Sequence, residues 1–119
     1  MKHLIIFYLL ITTTDILLAH SNRRVGLIKY HHATVGTSAQ DAILASSVNS
    51  RIVGWRLCHD ADSTANYLAA SVGADPALDG IRLGAGQCFE CDDCGSQGLI
   101  DLNVKADAAS TGYSVIQFQ

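Results

Sequence analysis

The clearest pattern lies near the C-terminus. Ile100, Leu102 and Val104 alternate with Asp101, Asn103 and Lys105, which is the period of a strand with one buried face. Arg51 to Cys58 also predicts a strand, through the β-branched and aromatic residues Ile52, Val53 and Trp55. Val25 to His32 is a first strand, and Ile81 to Leu83 and Tyr113 to Phe118 are apolar strands that each follow a glycine. Ser38 to Ser47 is alanine-rich and predicts a short helix capped by Ser38. Ser63 to Gly73 fits two patterns. Ser63 and Gly73 could cap a helix with Leu68 and Val72 one turn apart, or Leu68, Ala70 and Val72 could alternate along a strand.

Sliding the chain by 32 residues against itself favours the strand. Val72, Ala74, Asp75, Ala77 and Gly80 fall on Val104, Ala106, Asp107, Ala109 and Gly112, while Asp60 falls on Asp92 and Leu68 on Ile100. Two strand–turn–strand copies result, over about residues 55–84 and 87–118. Units of about 30 residues commonly share one core. The fold class is therefore all-β or mostly β: two Greek-key-like units packed as a small sandwich, with a short helix near 38–47.

The extreme N-terminus has a different character. Lys2 precedes an apolar run from Leu4 to Ala19, then small residues, as in a secretory signal. That run, about 16 residues long, is shorter than the ~20 a membrane span needs, and Asp15 interrupts it. Cleavage is expected after residue 19 or 21, leaving 20–119 as a single domain with no membrane span. From Asn22 onward 7 Lys and Arg face 10 Asp and Glu, so the charge stays near −3. Mild acidity argues against nucleic acid as a partner. No second apolar segment reaches membrane length, and no N-glycosylation sequon occurs.

The cysteines carry the candidate chemistry. Cys88, Cys91 and Cys94 lie within seven residues and Cys58 stands apart. In a reducing compartment this cluster would suggest a metal site; behind a signal it suggests disulfides. A core of about 100 residues is marginal enough for cross-links to matter.

These residues resemble the β/γ-crystallin-like small secreted proteins of filamentous fungi. Gln87 to Gly95, followed by Leu99 to Val104 and Ser114 to Phe118, is similar to one unit of that family; Trp55 to Asp62, Tyr67 to Val72 and Gly80 to Leu83 are similar to another. The resemblance covers about Arg51 to Gln119. It implies a β fold and a secreted protein of effector-like or toxin-like kind. Cys91 departs from the family spacing, and the paired Ser/Thr calcium motif is not supplied by Asp79–Ile81 or Thr111–Tyr113.

Four cysteines allow three pairings. In an extended segment Phe89 and Cys91 share a face, opposite Cys88 and Glu90. With Phe89 turned to the core, Cys91 reaches Cys58 of the other unit and Cys88 pairs with Cys94. The rival Cys91–Cys94 bond would be a C-x-x-C disulfide, in which Glu90, Asp92 and Asp93 oppose the acidic thiol that redox catalysis needs. The alternative to disulfides is zinc held by Cys88, Cys91, Cys94 and His59. His31 and His32 point to opposite faces of a strand, which keeps them from sharing one ion. His59 with Asp60 and Asp62 reads as a turn. Trp55 reads as core. No catalytic motif appears, so no catalytic residue and no cofactor are assigned. The expected function is a secreted, disulfide-stabilised binding protein, not an enzyme, acting on an extracellular or host target.

Overall fold

In a computed structural model of the protein, residues 26–76 and 80–119 are described. The signal segment expected at 1–19 lies outside them. Eight strands form two four-stranded antiparallel sheets. The strands are β1 (Leu27–Val35), β2 (Gln40–Asp41), β3 (Gly54–His59), β4 (Leu68–Val72), β5 (Ile81–Leu83), β6 (Cys88–Cys91), β7 (Leu102–Ala106) and β8 (Thr111–Phe118). The first sheet runs β1-β8-β3-β6 and the second β2-β7-β4-β5. The expected mostly-β sandwich is the architecture observed.

Alternation decides which side chains meet between the sheets. On β3, Trp55, Leu57 and His59 face inward; on β7, Leu102, Val104 and Ala106 do, and all six are buried. Leu68, Leu83, Tyr113 and Val115 complete the centre. Tyr113 and Gln117 find partners there, as desolvation requires, whereas the Trp55 N–H and His59 Nε2 are buried without one. Tyr113 donates its hydroxyl to the Ala42 carbonyl at 2.6 Å. Burial pushes the Tyr113 phenol up in pKa, although its contact with Gln40 acts the other way. The Gln117 amide accepts from the Asn49 N–H at 2.8 Å and donates to the Ser47 carbonyl at 3.0 Å, pinning the loop before β3.

The helix expected at 38–47 does not form. Gln40–Asp41 pairs with β7 instead, and only Ala45–Ser47 makes a 3₁₀ turn. Ala42 and Ile43 are consecutive and both buried, with the Ala42 carbonyl held by Tyr113, so tertiary contacts override alanine's helix propensity. A second departure is a short helix, α1 (Gly95–Ile100), where the alternation had begun a strand at Ile100. Leu99 is fully buried, and the turn closes through Asp101 N–H to the Gln97 carbonyl at 3.0 Å.

The two sequence copies share only part of their placement. β3 and β6 are neighbours in one sheet, β4 and β7 in the other. The third strands separate: β5 lies at an edge beside β4, while β8 lies inside the opposite sheet between β1 and β3. Val72 and Val104, equivalent in sequence, also differ. Val104 is fully buried on an inner strand, whereas Val72 ends β4 and is 50% exposed.

Candidate functional site

Two disulfides join all four cysteines, Cys58–Cys88 and Cys91–Cys94. This is neither bond of the expected set, Cys58–Cys91 with Cys88–Cys94. Cys91 does face inward, where it packs against the core beside Trp55. Cys58 does not, because Leu57 and His59 take the inward positions of β3 and turn it to the outer face. There it lies directly across from Cys88, with Cα atoms 4.1 Å apart. Such close spacing belongs to a non-hydrogen-bonded cross-strand pair.

Cys91 is then left with Cys94, three residues on. Cys94 is the N-cap of α1, and Gly95 adopts φ +67° to make the turn. The turn folds back on β3, where Gly95 N–H donates to the Val53 carbonyl at 3.0 Å. A side chain at Gly54 would collide with the Cys91 carbonyl, so this close approach depends on glycine.

The zinc arrangement is not assembled. Cys88 is bonded to Cys58, away from the other two sulfurs. Cys91, Asp93 and Cys94 bring potential ligand atoms within 4.8 Å of one another, but the two sulfurs are joined and His59 is not in the group. His59 is 1% exposed and faces the interior, its Nδ1 2.9 Å from the Leu83 carbonyl.

Asp60, the next residue, turns outward and meets a different histidine. His32 Nε2 lies 2.7 Å from Asp60 Oδ2. Gly112 runs directly beneath the pair, and a Cβ there would overlap the Asp60 carboxylate. Asp62, Ser63, Thr64, Ser110 and Thr111 join them around a polar cleft of about 290 Å³. Ser110 holds a left-handed backbone at φ +55°. As expected, the adjacent histidines diverge, His32 exposed and His31 half-buried. The His32–Asp60 pair was not legible in sequence: it joins β1 to the end of β3, and only the sheet order brings them together.

A second cleft, of about 250 Å³, opens between the edge strands β5 and β6. Trp55 forms its floor, as the expected core residue, and is 1% exposed. Phe89 packs beside it at a tilt of 49°, ring centroids 5.9 Å apart. Val72, Ile81, Ala70 and Leu102 line the opposite wall. Val72, Ile81 and Phe89 are among the exposed large apolar residues of the domain. Helix α1 backs the tryptophan, and Gly98 lies so close to Cys94 that a Cβ there would stand 2.9 Å from the Cys94 Cβ. The Trp55 N–H is buried without a hydrogen-bond partner.

No protein-family model, characterised protein or solved structure compared with the chain matches it. Among the described residues no helix is long and apolar enough to cross a membrane.

Proposed function

We propose that this is a secreted, disulfide-stabilised binding protein, effector-like or toxin-like, that acts outside the producing cell and carries out no catalysis. One observation carries the reading: every cysteine is oxidised, and one bond ties the first repeat unit to the second at Cys58–Cys88. Disulfides of this structural kind persist in oxidising compartments. The signal-like N-terminus fits the same route. The apolar cleft over Trp55 supports binding, since concave apolar surface is costly to leave open to water. The resemblance to secreted β/γ-crystallin-like proteins points the same way.

The test is expression of the full sequence in a secretory host. The protein should enter the medium shortened near residue 20 and give no free thiol with a thiol-reactive dye under denaturing conditions. Two or more free thiols per chain, or retention in the cytosol, would overturn the reading. Stoichiometric zinc in the secreted protein would overturn it in favour of a metal site.

A further inference from the structure

Four candidates stand outside the account so far. The apolar slot over Trp55 has no charged residue in its lining, so nothing in the structure names what covers it. The His32–Asp60 cleft holds an acid–base pair, but among the described residues no hydroxyl is hydrogen-bonded to the other histidine nitrogen. Buried His59 is held on the Leu83 carbonyl. The Cys58–Cys88 bond goes further, because its surroundings differ from those of Cys91–Cys94 in access and in charge.

Access separates the two bonds first. Cys88 is exposed and is the first residue of β6, an outermost strand of its sheet. Cys91 and Cys94 are half-buried and pack against the core. Charge separates them next. Thiol–disulfide exchange begins with a thiolate, which is an anion. At the inner bond it would meet the Asp93 carboxylate, whose Oδ1 lies 3.8 Å from Cys91 Sγ. At the outer bond the next outward pair along β3 and β6 is Arg56 with Glu90, an ion pair at 2.7 Å that adds no net charge.

The two sulfurs of the outer bond are not equivalent either. A thiolate attacks in line with the S–S bond, from behind the sulfur it takes. Behind Cys58 lies β8, whose Ser114 stands across from Cys58 and is 8% exposed. Behind Cys88 the sheet ends.

We infer that Cys88 is a thiol-exchange site for small-molecule thiols of the glutathione class. The thiolate bonds to Cys88 Sγ, the Cys58–Cys88 bond breaks, and Cys58 leaves as a thiolate that takes a proton from water. A second thiol then attacks the mixed disulfide, giving the small molecule's own disulfide and a Cys88 thiol. Two small thiols are oxidised and one protein disulfide is reduced. The folded chain keeps β6 in place through its ladder to β3 and the Arg56–Glu90 pair. What it loses is the tie between the repeat units, which moves the unfolding equilibrium roughly a thousandfold toward the unfolded chain. The inference rests on the reading of a secreted, oxidised protein and adds its regulation: the domain is fastened in oxidising surroundings and loosened on entering reducing ones.

The test uses the full secreted protein, natively folded, with reduced glutathione at neutral pH. The reaction is stopped with acid, free thiols are alkylated, and each cysteine is assigned by peptide mass spectrometry. Glutathione should appear on Cys88 at least about tenfold more than on Cys58, with Cys58 alkylated and Cys91–Cys94 still joined when half of the outer bond is open. The rate should rise in proportion to glutathione and stay level in urea too dilute to unfold the chain. Adducts chiefly on Cys58, earlier opening of Cys91–Cys94, or no exchange in the folded protein would overturn the proposal. So would both bonds opening together at a rate that climbs with dilute urea, which marks attack on the unfolded chain. Any of these results from a protein that starts fully oxidised removes this proposal alone; free thiols present before glutathione is added remove the reading beneath it.

Discussion

The two disulfides do different work. Cys58–Cys88 closes a loop with a sequence separation of 30, on the outer face of the first sheet, between strands of different repeat units. Cys91–Cys94 closes a loop with a separation of 3, beside the core, within a single turn. In the chain-entropy picture the long loop contributes about 4 kcal/mol and the short one about 2 kcal/mol. The long bond therefore acts mainly on the unfolded chain, by limiting how far the two units can separate. The short bond acts mainly on local geometry. It fixes the start of α1, and α1 in turn carries Leu99 into the core and backs Trp55. One cross-link holds the sandwich together, and the other shapes the floor of its apolar slot.

This contrast can be broken most directly at the long bond. The double replacement Cys58→Ala with Cys88→Ala should cost about 4 kcal/mol. In a domain this small, that lowers Tm by roughly 15–30 °C in a circular dichroism melt. A loss below about 1 kcal/mol would mean that the unfolded chain keeps the two units together without it.

Replacing Cys91 and Cys94 by alanine should cost less globally, about 2 kcal/mol. Its signature should be regional. Amide exchange should speed up in Gly95–Ile100 and leave β8 protected, and the Trp55 emission maximum should shift as its backing loosens. If β8 and α1 lose protection together, the division of labour is wrong.

The smallest expected effect concerns a non-covalent clasp that also links distant loops. Asp107 accepts hydrogen bonds from the Asn66 and Tyr67 N–H groups at 3.0 and 3.3 Å. Desolvation opposes its ionisation, but these donors outweigh it and hold the carboxyl below its usual range. A carboxyl whose pKa is lowered on folding stabilises the native state above its unfolded pKa, and that contribution disappears as pH falls through the folded value. Asp107→Ala should therefore lower Tm at pH 7, and the gap from the native protein should close as pH falls below the usual aspartate range. A gap independent of pH would assign the effect to packing instead. The disulfides, which do not titrate, should give pH-independent losses across the same range.

How much of this was legible in sequence depended on how many neighbours each segment has. β7 was legible because it has one buried face, so Leu102 and Val104 alternate with Asn103 and Lys105. β4 was legible only through its copy: Leu68, Ala69 and Ala70 are all buried, and small residues buried on both faces erase alternation. The segment at 38–47 misled because alanine favours helices locally, whereas Ala42 is fixed by Tyr113, 71 residues away. Phe89, expected at the core, stays 37% exposed on its edge strand at the apolar cleft, whereas the inward turn of Cys91 was readable from alternation. The pairing was not, because it depends equally on which face of β3 Cys58 occupies. Both clefts were out of reach. The polar one draws on β1, the end of β3 and the turn before β8, and the apolar one on five strands.

The sheet order carries a consequence in time. β8, the last strand in chain order, lies between β1, the first, and β3, so Leu27 finds its partner only at Phe118. During synthesis β1 must wait, with neither flank paired, until almost the whole domain has been made. Contacts so distant along the chain make for slow folding and a vulnerable interval. Cys58 and Cys88 both emerge before β8, and Cys91 and Cys94 follow Cys88 at once. An oxidising folding compartment can therefore fasten the half-built sandwich while its middle strand is still to come.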